Sequence, residues 1–327
     1  MQKLRLTALP FLIAGALAAA SLSGCGGGSH PATASTPSVS TTQTVTLPGT
    51  GKPQVTIGDK NFTEQFVLGE LYYEALKAQG FSVLLNQNIG PTEVTIPALQ
   101  TGRLSLYPEY IDTWDSSVAR LGKTFGSRGA AYRAGRRWAR RYGFDLLRPT
   151  PFGDTDAIAV TFNYAVHNGL ETIGDLAKVA PTLALGGPPQ FQQTASGLTA
   201  LEQAYGFAPA SFQPLAIGTQ YQALDQGKIQ AADVNTTDGQ LITGNYALLG
   251  DPDHVFGWGN VVPVVPLKVL RAEGPAFAAT INRVSALLST PVIRQLNAAV
   301  DVSGENPQVV AQQFLIAHGL VPATEGP

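Results

Sequence analysis

Two aspartates and a tyrosine have the side chains and spacing to bind a small charged ligand. Asp154 and Asp156 are two residues apart, so on an extended segment their carboxylates point to one face. Two carboxylates held close together raise each other's pKa unless a cation lies between them. Tyr110 offers a π face to such a cation and a hydroxyl for hydrogen bonding. The alternatives are acids that cap a turn or a helix, and a core tyrosine whose hydroxyl reaches the surface.

Lys60 and Tyr110 each follow a predicted strand. The strands are expected at Val55–Gly58 and at residues 104–107, and a helix is expected to begin shortly after Lys60. Ligands of α/β sheets bind at the carboxyl ends of strands, and a helix N-terminus there favours anionic groups. Lys60 is therefore a candidate partner for a ligand carboxylate. The alternative is a solvated lysine in a loop.

The composition argues against several other functions. The net charge is −2 and the basic residues form no clear footprint for nucleic acid. The sequence contains no nucleophile elbow, no H-E-x-x-H motif and no Gly-rich phosphate loop, so we expect neither an enzyme nor a cofactor. Asp251, Asp253 and His254 are candidate metal ligands, but a proline-containing turn is the preferred interpretation, and no metal site is predicted.

The N-terminal segment has the pattern of a secretory signal. Lys3 and Arg5 precede a mostly apolar stretch over residues 6–22, and two small residues separate it from Cys25, the one cysteine in the sequence. A small residue directly before a cysteine resembles the lipobox of bacterial lipoproteins. The resemblance implies that residues 1–24 are removed and that Cys25 carries acyl chains, which would anchor the protein to the membrane outside the cytoplasm. The alternative is an ordinary signal peptide with a chance cysteine.

The rest of the chain divides into a tether and two α/β lobes. Residues 25–52 are rich in Gly, Ser, Thr and Pro and are predicted to be a disordered tether. Strands and helices alternate after it, which predicts a parallel sheet covered by helices, and the pattern restarts in a second lobe. The boundaries are predicted at 53–154 and 257–327 for the first lobe and at 155–256 for the second. Strands are predicted at 55–58, 81–85, 104–107, 157–160, 182–185 and 230–234. Helices are predicted at 63–79, 92–100, 172–178, 197–205, 220–226, 275–288, 290–300 and 306–318, and the last three are expected to return to the first lobe.

An arginine-rich segment between residues 133 and 141 has helical spacing. Arg136 and Arg140 belong to it, and Trp138 lies between them. We interpret it as a solvated helix face with some arginines paired to acids. Contact with anionic lipid or with a transporter is the alternative.

Four segments together resemble one family, the substrate-binding proteins of ABC transporters that import glycine betaine, choline and related osmoprotectants. The segments are GDKNFTEQ at 58–65, GPTE at 90–93, YPEYIDT at 107–113 and TTDG at 236–239. The resemblance implies a two-lobed, type II periplasmic-binding-protein fold, also called a venus flytrap, with the ligand in the cleft between lobes. By the family's pattern, Tyr110 forms one wall of an aromatic cage and Thr113 donates a hydrogen bond.

The sequence departs from that family at several cage positions. One family tyrosine would fall within residues 153–157, where this chain has Asp156, and a second would fall at Asn235. A third would fall near Gly259, next to Trp258, and the arginine that holds a betaine carboxylate would align with Thr194. The family residues that remain are Lys60, Tyr110, Thr113 and Asp154. With fewer aromatic rings the cation–π attraction is weaker, and a trimethylammonium group cannot donate an N–H bond to Asp154 and Asp156. The replacements therefore predict a ligand with N–H donors, with Trp258 or Trp114 as a remaining aromatic wall.

Taken together, these residues predict a lipid-anchored, monomeric solute-binding protein that delivers a small cationic or zwitterionic amine to an ABC permease and its ATPase. The alternative is a cell-surface sensor or docking protein on the same fold that has no role in transport. A hydrolase on this scaffold is a third possibility, although the sequence offers it no nucleophile–base pair.

Overall fold

The computed structural model describes residues 46–194 and 196–323, so Cys25 and residues 25–45 of the predicted tether lie outside the described residues. The end of the predicted tether contacts the folded unit. The backbone N–H of Gly49 donates to the carbonyl of Gln79 over 2.9 Å, and Lys52 Nζ donates to the carbonyl of Ala272 over 3.2 Å. The chain is therefore attached to the folded unit before residue 52, where the tether was predicted to end.

The described residues form ten strands and twelve α-helices, together with a π-helical turn at Trp114–Val118 and three short 3-10 turns. The strands are β1 (Val55–Gly58), β2 (Val83–Asn86), β3 (Tyr107–Tyr110), β4 (Phe144–Leu146), β5 (Asp156–Thr161), β6 (Ala184–Gly187), β7 (Ser211–Pro214), β8 (Ala231–Asn235), β9 (Tyr246–Leu248) and β10 (Val261–Pro266). The helices are α1 (Thr63–Ala78), α2 (Thr92–Thr101), α3 (Ile111–Thr113), α4 (Arg128–Arg141), α5 (Phe162–Asn168), α6 (Ile173–Ala177), α7 (Leu198–Tyr205), α8 (Gln220–Asp225), α9 (Leu267–Glu273), α10 (Pro275–Leu287), α11 (Thr290–Asp301) and α12 (Pro307–Ala317).

The first lobe contains two small sheets rather than the one parallel sheet predicted. Strands β1 and β2 pair in parallel, and a bridge from Ile57 to Leu106 joins β1 to the segment before β3. The other sheet has the order β3-β10-β4, and both of its pairs are antiparallel. The parallel pairing of β1 with β2 and with Leu106 agrees with the prediction. The antiparallel sheet was not predicted, because β10 enters the lobe from the far end of the chain, about 150 residues after β3. All six residues of β10 are buried.

The second lobe contains one mixed sheet of five strands in the order β7-β6-β8-β5-β9. Strand β6 pairs in parallel with β7 and β8, whereas β5 pairs antiparallel with β8 and β9. Both faces are covered by buried apolar residues, with Ile158 and Leu185 in one cluster and Ala159 and Val234 in the other. The strands of this sheet lie inside the predicted range 155–256, and its exact boundaries stay a prediction.

The C-terminal helices pack against α1 of the first lobe, as predicted. Phe277 and Ile281 of α10 and Leu315 of α12 join Leu68 and Leu71 of α1 in one buried cluster. No single helix of the described residues is long and apolar enough to cross a membrane, although the bent pair α10 and α11 passes that test by length and composition.

Helix α11 also contacts the second lobe, at the short helical turn Gly239–Thr243. A Cβ atom at Gly239 would lie 2.6 Å from Cα of Ala298 on α11, so a side chain at this position would separate the two elements. Arg294 Nε and Asn297 Nδ2 of α11 donate to the carbonyls of Thr236 and Thr237 over 2.8 and 2.9 Å. Helix α11 is therefore held to both lobes.

The arginine-rich segment forms α4, and two of its arginines share one acid. Arg136 donates to both carboxylate oxygens of Asp145 over 2.7 and 3.0 Å, and Arg140 does the same over 3.1 and 2.8 Å. Burial alone would raise the pKa of Asp145, but the hydrogen bonds from the two arginines outweigh it and lower that pKa. Pairing with an acid, part of the predicted interpretation, is confirmed for these two residues.

We expect Asp145→Asn to lower the free energy of unfolding by about 2 kcal/mol at pH 7, because two guanidinium groups lose a buried carboxylate. Since the folded-state pKa of Asp145 is depressed, its contribution is present above its unfolded-state pKa of about 4 and is lost below it. Urea titrations at pH 7 and pH 3 measure this. Glu305→Gln, the same charge change at an exposed site, serves as the control and should change stability by less than about 0.5 kcal/mol. Equal effects of the two variants would contradict the prediction.

Candidate functional site

A cavity of about 650 Å³ lies between the two lobes, and both contribute to its walls. Six of the eight predicted ligand-binding residues line it. From the first lobe and the crossover come Tyr110, Thr113 and Asp154, and from the second lobe come Asp156, Thr194 and Asn235. The structure therefore brings most of the predicted residues together, and their contact with a ligand stays a prediction.

The strand ends explain why these residues meet. Tyr110 is the last residue of β3 and Thr113 the last residue of α3, which follows directly. Asp156 is the first residue of β5, and the antiparallel register places it opposite Asn235, the last residue of β8. Residues directly opposite in an antiparallel pair point to the same face of the sheet. Asp156 and Asn235 therefore lie side by side at the edge of the second lobe that faces the first.

Asp154 lies where the chain crosses between the lobes. Its backbone N–H donates to the carbonyl of Gly259 over 2.9 Å. A Cβ atom at Gly259 would lie only 1.6 Å from the carbonyl oxygen of Asp154, so no side chain fits at residue 259 unless the crossover moves. An aromatic wall at Gly259 is therefore incompatible with this backbone. The two crossing segments need the close contact that glycine permits.

Tyr110 has only its ring available to a ligand in the cavity, because its hydroxyl is already hydrogen-bonded within the protein. The hydroxyl donates to Glu64 Oε1 over 2.8 Å and accepts from Gln65 Nε2 over 3.2 Å. Its ring stacks on Phe62 with centroids 6.1 Å apart. Burial and the charge of Glu64 raise the pKa of Tyr110 well above its usual value. Glu64 and Phe62 were not among the predicted site residues, although both belong to the segment 58–65.

Lys60 lies behind Tyr110, and the residues that line the cavity do not include it. Its ammonium forms a buried ion pair with Glu109 and lies 5.4 Å from the centroid of the Tyr110 ring. Glu109 also accepts hydrogen bonds from Thr92 Oγ1 over 2.9 Å and from the Tyr107 hydroxyl over 2.6 Å. The Lys60 ammonium thus already has a carboxylate partner. The contact of Lys60 with a ligand carboxylate stays a prediction, and the ion pair with Glu109 does not favour it.

Trp258 lines a neighbouring pocket of about 270 Å³ instead of the main cavity. Its indole N–H donates to the carbonyl of Phe125 over 2.7 Å, and its ring lies 4.4 Å from that of His254. The prediction of Trp114 as a wall of the site is wrong, because this side chain is fully buried in the first lobe and its indole N–H donates to the carbonyl of Gly135. Nothing in the sequence separated these two tryptophans. Their burial depends on contacts made by residues far apart in the chain.

Asp251 closes a turn, as the preferred interpretation predicted. Its carboxylate accepts from the backbone N–H groups of Val255 and Phe256 over 3.1 and 3.0 Å, and from the hydroxyl of Tyr205. Asp154 and Asp156 behave differently. Among the described residues, no backbone N–H donates to either carboxylate, and Asp154 Oδ1 is buried without a hydrogen-bond partner. The alternative that these two acids cap a turn or a helix therefore has no support in the structure.

The main cavity is acidic. Asp112, Asp154 and Asp156 line it, and no lysine or arginine is among the described residues of its wall. Burial raises the pKa of Asp112 and of Asp156 to about 6, and for Asp112 the charges of Glu109 and Asp156 add to the shift. Burial and the charge of Glu64 raise the pKa of Asp154 well above its usual value. A cation in the cavity would lower all three pKa values by stabilising the ionised forms.

Comparison with known proteins places this chain in a family. Residues 53–317 match the family described as the substrate-binding domain of ABC-type glycine betaine transport systems. The chain is 29% identical over 276 residues to the glycine-betaine-binding protein of Pseudomonas aeruginosa, and the match covers 81% of this chain and 88% of that protein.

Two solved structures share the fold. A glycine betaine/carnitine/choline ABC transporter structure superposes with a TM-score of 0.76 at 25% identity, over 81% of this chain and 99% of the other. Apo YehZ from Escherichia coli superposes with a TM-score of 0.70 at 28% identity, over 82% of this chain and 99% of the other. The two-lobed α/β fold and the family resemblance predicted from the sequence are confirmed. The chain therefore belongs to the substrate-binding domains of ABC-type glycine betaine transport systems, a family of solute-binding proteins rather than enzymes.

Proposed function

We propose that this protein captures a small cationic or zwitterionic amine outside the cytoplasm and delivers it to an ABC importer. One observation carries the proposal. The cavity between the lobes is lined by Asp112, Asp154 and Asp156, with no basic residue among its described walls. A buried carboxylate oxygen without a hydrogen-bond partner, such as Asp154 Oδ1, favours a cation strongly, because the ion replaces the solvation that the oxygen has lost.

The cavity supports a ligand whose nitrogen carries N–H donors. Relatives of this chain are named for binding glycine betaine or carnitine, whose ammonium groups are fully methylated. Here the aromatic residues among the described lining are Tyr110 and Phe256, whereas the carboxylates number three. Hydrogen bonds to charged groups are worth more than neutral ones, and a methylated ammonium cannot make them. The balance of lining groups therefore favours a primary or secondary amine.

Ligand binding and closure of the cleft are coupled through the positive charge of the ligand. Tyr110 and Asp112 belong to the first lobe and Asp156 to the second, so a cation between them is attracted to both lobes when the cleft is shut. Without the cation, the same carboxylates repel one another across the cleft. A ligand that interacts more strongly with the closed form shifts the population towards it. The closed form is then the one presented to a permease with its ATPase.

The predicted lipid anchor belongs to this proposal. An acylated Cys25, followed by a flexible segment, would hold the protein at the outer face of the membrane, beside its permease. The protein acts as a monomer in this scheme, because one chain supplies both walls of the cavity.

We expect a cationic amine with N–H donors to bind more tightly than glycine betaine or choline in a calorimetric panel. Asp156→Asn should weaken the best amine at least about 10-fold, equivalent to about 1.4 kcal/mol, because a charged acceptor becomes neutral. Glu305→Gln removes the same charge at an exposed site and should leave the affinity within about 2-fold. Tight betaine binding with no N–H amine detected would overturn the ligand assignment. No binding of any compound in the panel would overturn the proposed function itself.

The raised carboxylate pKa values predict opposite pH dependences for stability and affinity. The folded-state pKa values of Asp112 and Asp156 are about 6, above the unfolded-state value of about 4, so the folded protein binds more protons between these limits. The ligand-free protein should therefore lose stability as pH rises from 5 to 7.5. Affinity for the amine should rise over the same interval, since the ionised carboxylates bind it. Thermal unfolding and calorimetry at several pH values measure both, and parallel trends would contradict this account.

We expect Cys25→Ala to release the protein from the membrane fraction of cells that express it. Metabolic labelling with a fatty-acid analogue should mark the wild type and leave the variant unlabelled. Ligand affinity should be unchanged, because the cavity is formed by residues far along the chain. Retention of the unlabelled variant in the membrane fraction would show that another segment holds it there.

A further inference from the structure

A second, smaller pocket opens beside the main cavity within the second lobe, and we call it the inner pocket. Its volume is about 200 Å³, and it shares Asp156, Thr194 and Asn235 with the main cavity. The residues that belong to the inner pocket but not to the main cavity include Asp233 and Gln220. A ligand in the main cavity could therefore extend into the inner pocket past Asp156.

Two buried acceptor atoms in the inner pocket have no partner among the described residues. They are Asp233 Oδ1 and Gln220 Oε1, on side chains that are only 5% and 4% exposed. Buried oxygen atoms of this kind are nearly always hydrogen-bonded in folded proteins, since leaving one unpaired is unfavourable. Two such atoms beside one cavity mark a place where donors from a ligand fit.

The sheet register explains why the acids converge. Asp156 pairs with Asn235 and Ile158 pairs with Asp233 in the antiparallel β5–β8 ladder, so both acids point to the same face. They are diagonal neighbours, with Cβ atoms about 7 Å apart by the usual geometry of such pairs. Gly187 lies against Asp233, and a Cβ atom at residue 187 would approach that of Asp233 to 2.9 Å. The absent side chain at residue 187 leaves room for the Asp233 side chain.

The inner pocket has the opposite polarity to the one that the family resemblance implied. The resemblance placed at Thr194 an arginine that holds a ligand carboxylate, and Thr194 lines both cavities. In this chain the described residues of the inner pocket include Asp156, Asp233 and Asp238 and no lysine or arginine. An anionic end of a ligand would be repelled here, whereas a positively charged end would be attracted.

We propose that the inner pocket binds a second positively charged, N–H-bearing group of the solute through Asp233, Gln220 and Asp156, so that the transported solute is a diamine or a related dication. The first ammonium lies in the main cavity near Asp154 and Tyr110. This inference rests on the proposed function, because it concerns the same solute. The inference adds to the proposed function a second charged group on the solute and the residues that select this group.

The ionisation of Asp233 supplies a second readout. Burial raises the pKa of Asp233 to about 9, and the charges of Asp156 and Asp238 contribute. These two acids are the titratable groups that face it from the described residues around the inner pocket. Asp233 is therefore protonated at neutral pH in the empty protein, and a cation bound beside it favours loss of that proton. Binding of a dication should release protons to the buffer.

The test compares 1,4-diaminobutane with 1-aminobutane, which has the same carbon chain and one amine. Calorimetry with the full chain should give the diamine at least about 10-fold higher affinity. Asp233→Asn should weaken binding of the diamine at least about 10-fold and change the affinity for 1-aminobutane less than about 2-fold. Gln220→Leu, which deletes the acceptor at similar size, should weaken the diamine by a smaller factor. Titration in two buffers of different ionisation enthalpy should detect proton release with the diamine and wild-type protein, and less with Asp233→Asn.

The outcomes separate this inference from the proposed function. Equal affinities for the two amines, or no change of diamine affinity in either variant, would overturn the inner-pocket proposal while amine binding itself stands. Failure of the wild type to bind any amine, betaine or choline would overturn the proposed function. Should Asp233→Asn fail to fold, as thermal unfolding would reveal, Gln220→Leu and the proton release of the wild type decide the question.

Discussion

Buried negative charge without a neighbouring cation is the constraint on which the site depends. A carboxylate removed from water is unfavourable unless a proton, a hydrogen-bond donor or a positive ion compensates for it. Asp145 is an example of compensation, because Arg136 and Arg140 hold both of its oxygens. Among the described residues, no lysine or arginine forms an ion pair with Asp112, Asp154 or Asp156. Two basic groups near the cleft are engaged elsewhere, Lys60 with Glu109 and Arg294 with the carbonyl of Thr236. In the function proposed above, the ligand supplies the missing positive charge.

One hydrogen-bond network connects the cavity to the elements that hold the lobes together. Tyr110 donates to Glu64 at the start of α1, and Glu64 Oε2 accepts from Asn297 of α11 over 3.2 Å. Asn297 in turn donates to the carbonyl of Thr237, beside the cleft. Burial raises the pKa of Glu64, although hydrogen bonds from this network lower it in part. The aromatic wall of the site and the helix that bridges the lobes are therefore positioned by the same carboxyl group.

The sequence predicts local structure well where a short segment determines it. Alternating apolar residues and helical spacing located β1, β2, β5, β6 and β8 and the three C-terminal helices closely. Strand β3 lies at 107–110 instead of the predicted 104–107, so Tyr110 ends the strand rather than following it, and β5 begins at Asp156, one residue before its predicted start. Strands β4, β7 and β9 were not predicted. Strand β10 was missed, since its run of valines and prolines lacks alternation and its two partners lie more than 110 residues away. The partner of Lys60 was missed for a similar reason. Glu109 is 49 residues distant, and a buried ion pair leaves no local signal in the sequence.

The cavity walls were partly predictable. The two-residue spacing of Asp154 and Asp156 suggested that they act together, and the register of β5 with β8 brings Asn235 beside Asp156. The inner pocket could not be foreseen. It depends on which face of β8 Asp233 occupies, and on the space left by Gly187 in a strand that is far away in the sequence. Trp114 and Trp258 differ in the same way, since only their packing decides which one approaches the cleft.

The contact between Asp154 and Gly259 has a consequence for the order of events in capture. In a rigid rotation about the crossover, each atom travels in proportion to its distance from the axis. Asp154 lies in the crossing segment, where its backbone N–H donates to the carbonyl of Gly259, so a rotation about the crossover would move it little. Asp156 and Asn235 pair with each other on the second lobe, beyond the crossover. In the proposed closure, a solute in the open cleft would therefore contact the nearly stationary Asp154 first, and the wall that carries Asp156 and Asn235 would close over it afterwards.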